Sequence, residues 1–521
     1  MRTINRSQQY ATAPGSIRIM NRKSKIQSSA SQSAASTRVG HNLDSPLEDF
    51  KRHLNDAVEL IIARYQTMYE ADAHPGNSPS EVRQWFDEPL PEVACAIEDV
   101  LQITEDKVVA HPTMNLGTKM FAYVMSGGNQ VSVIADLIAS ALNQNAAKWH
   151  LAPSMTEIEQ RVIAWTAEFL SLEQHRGGAI VSSGSAANLT GLTVARNLFG
   201  EKLNVRENGL FGLPPLIVYG SEQTHNSVDK SIQLLGIGSQ NFRKIRVADD
   251  FTIDLNALTE QIELDKRHGY TPFCIVGNAG TVNTGAIDPL NELAEIAASN
   301  GLWFHVDGAY GGLAASLASK RKWYSGLAAA DSIALDYHKW LYQPYEVGCT
   351  LVKDWDALNR TYHTSAEYLD YGTSDEKFDV SRHHFDLSRN TKAFKVWMSF
   401  KAYGAAKLRE MMTKDIACAD YLIEIVERSN DFELISKAEL AIVCFRYIGV
   451  HPRAEASLNG LNAALLELLE ADGRLFITGT TLREKQVIRA CIINHRIERI
   501  DIDFMLHVIR EVATELAPTP S

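Results

Sequence analysis

Between residues 178 and 352 the chain alternates short, continuous apolar runs with stretches long enough to form helices. This alternation predicts β–α–β units and a mostly parallel sheet buried on both faces, which is the α/β class of fold. Such sheets bind ligands at the carboxyl ends of their strands, so we expect the chemistry there. The predicted strands are 179–181, 216–219, 244–247, 273–277, 303–306, 332–335 and 348–352, with helices over 186–199, 226–236, 254–267 and 288–300.

The flanking segments follow other patterns. Before the α/β region, apolar residues spaced by three and four predict a helix soon after residue 46, and prolines predict a loop over 70–90. Beyond residue 400 the pattern is α+β. Further helices are predicted over 91–104, 143–170 (largely helical), 458–469 and 502–516, and further strands over 441–447, 475–478 and 487–493. The predicted parts are a tail (1–43), an N-terminal helical segment (44–110), a large domain (111–400) and a small C-terminal domain (401–521).

Charge is distributed unevenly along the chain. The 521 residues are 45% hydrophobic and 22% charged, as in ordinary globular proteins, with a net charge of −12. Residues 1–43 nevertheless contain seven Lys and Arg and no acid, and few apolar residues. We interpret them as a disordered basic tail, although a basic, acid-free N-terminus also resembles an organelle transit peptide.

The composition also excludes several classes of partner. A broadly acidic body argues against nucleic-acid or anionic-membrane binding, and no apolar run reaches the length of a membrane helix. The six cysteines are scattered without a CxxC pair, which predicts neither a zinc ribbon nor a disulfide scaffold. A reducing cytoplasm fits this cysteine usage best. No metal site is predicted.

A lysine occupies an unusual position at the end of one predicted strand. Lys339 follows the apolar run 332–335, directly after His338 and between aromatic residues, in the segment ALDYHKW. Partial desolvation makes an amine a better nucleophile. The alternative is a surface lysine that begins a loop.

An acid ends the strand before it. Asp307 closes the run WFHVD and is followed at once by the small residues GAYGG. The acid could cap a following helix, but small residues also let a flat ligand approach the backbone, where the acid could hold a proton on a pyridine nitrogen. Asp307 and Lys339 are separated by about one β–α–β crossover, so we expect them at nearby strand ends.

A third strand runs into a turn of small polar residues. In VSSGSAANL (181–189) the backbone N–H groups of a helix N-terminus, with hydroxyls beside them, form an anion site suited to phosphate. The turn matches neither the P-loop nor the GxGxxG pattern, and a plain capped helix is the alternative. Together, the phosphate site, the acid and the amine are what a protein needs to hold pyridoxal phosphate as a lysine Schiff base.

The chain resembles the group II pyridoxal-phosphate-dependent amino-acid decarboxylases, which include aromatic amino-acid, glutamate, cysteine-sulfinate and 2,4-diaminobutyrate decarboxylases. The resemblance runs from about residue 50 to 515 and is carried by 143–159, HVDGAYGG (305–312) and DYHKWLYQPYEVGC (336–349). It implies fold type I: a mostly parallel seven-stranded sheet flanked by helices, plus a small α+β C-terminal domain. It also implies a homodimer whose N-terminal helices wrap the partner subunit.

The resemblance assigns roles residue by residue. It implies that Lys339 forms the Schiff base with pyridoxal 5'-phosphate and that Asp307 pairs with the pyridinium nitrogen. The remaining cofactor contacts that it implies are Gly184 and Ser185 at the phosphate, His338 and Asp336 beside it, His225 stacked on the ring near the reacting carbon, Ala309 on the opposite face, and Thr281 lining the cofactor. Without the resemblance, His225 could equally be a histidine with no role.

The polar stretch 360–384 is typical of a long loop, and such loops are often active-site lids. Tyr368 lies where the family has a loop tyrosine that protonates the carbanion carbon after carbon dioxide leaves. Relatives with phenylalanine there behave as aldehyde synthases, so the tyrosine favours simple decarboxylation. A surface tyrosine without a role is the alternative.

The substrate side chain is harder to infer. The aromatic pair that follows the early His-Pro in the aromatic-specific branch is missing after His111-Pro112, which puts an aromatic substrate in doubt. Asn115 resembles an asparagine of the acidic-substrate branch; alternatively, Phe121 and Tyr123 supply aromatic walls. Arg389 resembles an arginine near the family's active site, with a structural salt bridge as the alternative.

The sequence therefore predicts a carboxy-lyase that converts an L-amino acid into its amine and carbon dioxide. The alternatives are an aldehyde synthase or a carbon–carbon lyase on the same scaffold, and a non-catalytic binding protein. Retention of both Lys339 and Asp307 argues against the last of these.

Overall fold

The computed structural model describes residues 43–172, 177–364, 377–437, 439–450 and 453–516. They form two compact units: residues up to Ala63 with Pro91–Glu105, and Arg64–Leu90 with everything from Asp106 onward. The predicted tail, except for its last residue, and Tyr368 lie outside the described residues. The division at residues 43, 110 and 400 stays a prediction.

The secondary-structure elements are numbered in chain order. The α-helices are α1 (Leu47–Thr67), α2 (Pro79–Trp85), α3 (Ile97–Thr104), α4 (Gln130–Leu142), α5 (Pro153–Phe169), α6 (Gly184–Phe199), α7 (Val205–Asn208), α8 (Asn226–Leu234), α9 (Leu255–Arg267), α10 (Leu290–Asn300), α11 (Tyr337–Trp340), α12 (Ala357–Tyr362), α13 (Lys392–Arg428), α14 (Glu455–Asp472) and α15 (Arg499–Thr514). The β-strands are β1 (Gly177–Val181), β2 (Leu216–Ser221), β3 (Phe242–Ile245), β4 (Thr271–Asn278), β5 (Trp303–Asp307), β6 (Ser332–Asp336), β7 (Gly348–Val352), β8 (Phe432–Lys437), β9 (Ile442–Tyr447), β10 (Thr478–Leu482) and β11 (Lys485–Cys491).

The larger sheet has seven strands in the order β1-β7-β6-β5-β4-β2-β3. The pairs from β6 through β3 are parallel, whereas β7 runs antiparallel to both β1 and β6. Every residue of β1, β2, β6 and β7 is buried, because helices cover both faces of the sheet. The α/β fold predicted from the apolar runs is confirmed, and the carboxyl ends of β4, β5 and β6 lie side by side.

Helix starts follow local capping chemistry. The Ser183 hydroxyl accepts a hydrogen bond from the Ala186 N–H at the start of α6, and Asp254 accepts two from the first turn of α9. A side-chain acceptor there satisfies backbone donors that have no partner inside the helix. The turn after β1 is therefore held as a helix N-terminus at the edge where ligands of parallel sheets bind.

The C-terminal part forms a four-stranded antiparallel sheet in the order β10-β11-β9-β8, packed with α14 and α15. The long element α13 approaches it, and Gly404 breaks the helical backbone within α13 with a φ of 74°. A glycine adopts that left-handed conformation without the strain that a side chain would cause. The small α+β domain predicted from the sequence is confirmed as an architecture.

Several predicted elements were wrong in extent. The helix predicted over 91–104 begins only at Ile97, because Ala96 is still extended. In the stretch 143–170 the α-helix begins at Pro153; Asn143 is left-handed (φ 47°) and ends α4, a helix that was not predicted.

The strand predicted over 475–478 was also misplaced. The backbone of Phe476 pairs with Lys119 and Phe121 instead, and the strand of the C-terminal sheet begins at Thr478. Neither β8 nor the long helix α13 was predicted. Within the described ranges, no helix is both long and apolar enough to cross a bilayer.

Candidate active site

A cavity of about 240 Å³ opens at the carboxyl ends of the parallel strands. The cofactor residues predicted from the sequence all line it: Gly184, Ser185, His225, Thr281, Asp307, Ala309, Asp336, His338 and Lys339. These residues come from the turn after β1 and from loops after β2, β4, β5 and β6. The sheet topology thus gathers side chains that are far apart in the sequence.

The N-terminus of α6 forms one wall of this cavity. The Gly184 N–H donates to Asp336 Oδ2 over 2.9 Å, which ties the turn to the end of β6. A Cβ at Gly184 would lie 2.7 Å from the Ala309 Cβ and 3.1 Å from Asp336 Oδ2. The missing side chain therefore lets Ala309 and Asp336 pack against this turn. The turn, called the glycine cradle below, lines the cavity, and its helix N-terminus suits an anion.

Asp336 also reaches the residue just before Lys339. The His338 Nδ1 lies 2.7 Å from Asp336 Oδ1, and both side chains are more than nine-tenths buried. The His338 ring packs against the Tyr345 ring at 4.3 Å, and the Ser126 hydroxyl donates to the His338 carbonyl over 2.8 Å. The backbone that carries Lys339 is consequently held from two sides.

Asp307 is 7% exposed and is satisfied by neutral donors. The Asn188 amide donates to Asp307 Oδ2 over 2.9 Å, and the Ala309 N–H donates to Oδ1 over 3.1 Å. The Asp307 carboxylate can only accept, so the side-chain amide of Asn188 turns its Nδ2 toward it and its Oδ1 toward His305 Nε2, which is 2.9 Å away. Because this amide oxygen can only accept, His305 carries its proton on Nε2.

The same amide continues the network to His225. Asn188 Nδ2 donates to Ser227 Oγ over 2.9 Å, and Ser227 Oγ lies 2.8 Å from His225 Nδ1. The Ser227 N–H also donates to Nδ1, which leaves the proton of a neutral His225 on Nε2. Burial lowers the pKa of His225, with Lys339 acting in the same direction and Asp307 opposing it, so the ring is neutral at pH 7.

The loop after β4 is held by a second buried acid. Asp288 accepts hydrogen bonds from the Asn278 N–H (2.8 Å) and side-chain amide (2.7 Å), and burial raises its pKa to about 6. Thr281 lies further along this loop, and its hydroxyl is 2.9 Å from that of Thr284. Asn278 and Thr281 both line the cavity.

Arg489, on β11, lies behind the cavity wall and was not predicted. Its Nε donates to the Val282 carbonyl (2.8 Å) behind the cavity wall and its Nη1 to the Tyr123 carbonyl (2.8 Å). Nη2 is buried and, among the described residues, makes no hydrogen bond to an oxygen. Burial raises the pKa of the Cys491 thiol to about 11, while Arg489 and Lys339 both lower it.

Two predicted substrate residues do not line the cavity. Arg389 forms a two-point ion pair with Glu159 (2.9 and 3.0 Å), with both side chains buried, so the salt bridge left open as the alternative is present. Asn115 lies elsewhere, and its backbone carbonyl accepts a hydrogen bond from Asn494. Phe121 is fully buried in the core, whereas Tyr123 is 58% exposed.

The residues present fit pyridoxal 5'-phosphate. The glycine cradle at the N-terminus of α6 suits a phosphate, the carboxylate at the end of β5 suits a protonated ring nitrogen, and Lys339 suits an aldehyde. All three line one cavity. This fold and site define a pyridoxal-phosphate enzyme of fold type I.

Comparison with known proteins gives the family. The model of the pyridoxal-dependent decarboxylase conserved domain matches residues 79–448, so the chain belongs to the pyridoxal-dependent decarboxylase family and is a pyridoxal-phosphate-dependent amino-acid carboxy-lyase. The chain is 33% identical over 481 residues to an aromatic-L-amino-acid decarboxylase of Bacillus atrophaeus, covering 92% of this chain and 98% of the relative.

Two further relatives bear on the chemistry. A phenylacetaldehyde synthase of Arabidopsis thaliana is 28% identical over 90% of this chain and 96% of its own length. A crystal structure of Oryza sativa TDC with PLP and tryptamine superposes with a TM-score of 0.86 at 27% identity, covering 91% of this chain and 99% of that one.

The glycine cradle generates the first prediction. Gly184→Ala should raise the dissociation constant for pyridoxal phosphate about ten- to a hundredfold, because the added Cβ must displace Ala309 or Asp336 at a cost of about 1–3 kcal/mol. Titration of the apoenzyme, followed by visible absorbance, measures this constant.

Gly460→Ala serves as the matched control, because a Cβ there meets nothing within 4 Å. An unchanged dissociation constant for a folded Gly184→Ala protein would contradict the phosphate cradle.

Proposed function

We propose that the substrate is an aromatic L-amino acid, released as the corresponding amine and carbon dioxide, and that the cavity residues divide the work of binding the cofactor and moving the proton. The observation that carries the assignment of a pyridoxal-phosphate site is that Lys339, Asp307 and the α6 N-terminus line a single cavity. The substrate class is supported by the name of the Bacillus atrophaeus relative and by the tryptamine in the Oryza sativa structure.

When bound, pyridoxal phosphate would supply an electron sink for the electron pair that stays on the α-carbon when carbon dioxide leaves. Gly184 and Ser185 would hold the phosphate with the donors of the α6 N-terminus, with His338 and Asp336 beside it. Asp307, kept in place by Asn188 and Ala309, would hold a proton on the ring nitrogen. Lys339 would bind the cofactor aldehyde and would be the amine that frees the product.

His225 and Tyr368 are proposed to control the proton. The neutral imidazole of His225, with its proton on Nε2, presents a hydrogen-bond donor on one side of the site without adding a charge. Thr281 and Ala309 line the cavity and would contact a flat ring bound there. Tyr368 delivers the proton to the α-carbon of the substrate, and this role remains a prediction from the family loop.

Arg489 is proposed to bind the substrate carboxylate. A buried guanidinium nitrogen without an oxygen partner is costly unless a ligand completes it. Arg489 also donates to the backbone carbonyl of Tyr123, whose backbone is left-handed (φ 55°). The exposed ring of Tyr123 lies edge-on to the ring of Phe476. The aromatic wall supplied by Tyr123 and the substrate roles of Asn115 and Arg389 stay predictions from the sequence.

A homodimer is proposed as the working assembly. No residue of α1 or α3 is buried, and both helices present large apolar side chains to solvent, such as Phe50 (55% exposed) and Ile103 (46% exposed). Exposed apolar faces of this kind are typical of association surfaces. The cysteine usage supports a cytoplasmic location, with an organelle as the alternative if residues 1–43 act as a transit peptide.

A substrate panel tests the proposed function. L-tryptophan, L-tyrosine, L-phenylalanine, L-glutamate and L-2,4-diaminobutyrate are compared by amine and carbon dioxide release, with aldehyde and hydrogen peroxide measured in parallel. We expect kcat/KM for an aromatic substrate to exceed that for glutamate by about a hundredfold or more.

Each other outcome has a defined meaning. Preference for glutamate or diaminobutyrate would reject the aromatic assignment, and aldehyde with peroxide in place of amine would favour a synthase. Absence of turnover with every amino acid would favour a binding protein.

Lys339→Ala should abolish the visible absorbance of bound pyridoxal phosphate, because no other amine is proposed to bind the aldehyde. The spectrum of the purified protein after dialysis is the measurement, and Lys353→Ala, at an exposed lysine just beyond β7, is the control. A visible band that survives in the Lys339 variant means that the lysine is wrongly assigned.

Arg489→Gln should raise KM about ten- to a hundredfold with a smaller change in kcat, since a charge-assisted hydrogen bond to the substrate contributes about 1.5–3 kcal/mol. Steady-state kinetics on the best panel substrate measure the split. The control is Arg483→Gln, at a half-exposed arginine in the turn between β10 and β11. If KM is unchanged in the folded variant, the carboxylate binds elsewhere.

A further inference from the structure

Asp415 is a fully buried carboxyl group outside the cavity, on α13. Its Oδ2 accepts hydrogen bonds from Trp340 Nε1 over 2.9 Å and from the Tyr342 hydroxyl over 2.7 Å. In the part of the chain that the structure describes, Oδ1 has no hydrogen-bond partner and Asp415 forms no ion pair. A buried carboxylate held only by neutral donors is expensive, so its presence calls for an explanation.

Both donors belong to the segment that immediately follows Lys339. Trp340 is the next residue and Tyr342 lies three positions on, with its N–H donating to the Lys339 carbonyl over 3.3 Å. Tyr342 is left-handed (φ 54°), a conformation that is strained for a bulky side chain and persists only where the surroundings impose it. The hydrogen bond to Asp415 is one such constraint.

The same contacts reach the cavity wall through stacked rings. Trp340 is fully buried and stacks on Tyr310, with centroids 5.4 Å apart and planes at 11°. Tyr310 lines the cavity. On the other side, the ring of His495 packs edge-on against Tyr342 at 5.1 Å. Movement of Asp415 would therefore shift both the lysine segment and the wall beside it.

We propose that Asp415 is a positioning residue for Lys339: by binding Trp340 and Tyr342 it fixes the direction in which the lysine side chain enters the cavity. The proposal rests on the proposed role of Lys339. Asp415 does not touch the cavity, so it acts through the two aromatic residues. The loss of a purely structural acid would lower only the stability of the fold. The loss of Asp415 must also change the direction in which the Lys339 side chain enters the cavity.

The titratable groups around Asp415 are few. Lys414 and Cys418 lie on the same helix, Cys491 on β11, and His495 beyond it; the thiol of Cys491 responds to the charges of both Asp415 and Lys339. Burial raises the pKa of Asp415 to about 7, with the hydrogen bonds from Tyr342 and Trp340 lowering it. The activity and absorbance of each variant are therefore measured across pH 6–9.

Three variants separate the hydrogen bonds from the charge. Asp415→Asn keeps an oxygen that can accept from both donors but removes the charge. Asp415→Leu removes the acceptor, and Tyr342→Phe removes one donor while keeping the ring. Asp420→Asn, at an exposed acid on the same helix, is the matched control.

We expect Asp415→Leu to lower kcat about ten- to a hundredfold with KM changed less than about threefold, because a small misplacement of a reacting group costs rate more than binding. The kcat of Tyr342→Phe should lie between those of Asp415→Leu and the wild type, and Asp415→Asn should retain most of the wild-type kcat. The midpoint of the pH titration of the visible absorbance should move in the Leu and Phe variants, since it depends on the geometry of the linkage between Lys339 and the cofactor.

A purely structural role has a different signature. A lower melting temperature with wild-type kcat and an unmoved absorbance midpoint in the folded holoenzyme would overturn the proposal. If Asp415→Leu does not fold, the same two readouts on Tyr342→Phe decide between the positioning role and the structural one. Failure of the proposed function is distinguishable, because it appears as a visible band that survives Lys339→Ala.

Discussion

The site depends on how the buried carboxylate of Asp307 is satisfied. An unpaired charge at that depth would cost several kcal/mol, and the chain meets the cost with the Asn188 amide and the Ala309 N–H. Asn188 belongs to the helix after the first strand, whereas Asp307 ends the fifth. Satisfying one carboxylate therefore fixes α6 against the middle of the sheet, and with it the position of Gly184 relative to Asp307. The side-chain amide of Asn188 therefore positions the Gly184 turn and the Asp307 carboxylate relative to each other.

A second acid completes the same arrangement. Asp336 accepts the Gly184 N–H at the end of β6, so the start of α6 is bound to one strand end and its second turn to the neighbouring one. The helix cannot tilt without breaking one of these hydrogen bonds. The same amide of Asn188 continues through Ser227 to His225, so the orientation of the imidazole is coupled to that of the carboxylate. Rigidity at the cavity thus comes from shared partners rather than from many separate contacts.

The sequence predicted those parts of the site that are local. Lys339, Asp307 and Gly184 each stand where an apolar strand ends, and a strand end is visible in the order of residues. Asn188 and Arg489 were not predicted because their importance comes from residues far away in the chain: Asn188 looks like one more position on a helix, and Arg489 belongs to a different sheet. The misplaced strand at 475–478 has the same cause, since the backbone of Phe476 pairs with residues 119–121. Local patterns give strands and turns, but they do not say which distant segment will supply the partner.

The treatment of charge around the cavity explains why the acidity of the whole chain is a poor guide to its ligands. Asp307 and Asp415 are held by neutral donors, and Asp336 by a backbone N–H and a histidine, so none of these acids neutralises a lysine or an arginine. Among the described residues, neither Lys339 nor Arg489 forms an ion pair with a carboxylate. A chain of net charge −12 therefore keeps one lysine in this cavity and one arginine behind its wall without an ion pair to the acids described here. Because a phosphate and a substrate carboxylate both need positive partners, satisfying the nearby acids with other donors matters as much as supplying the cations themselves.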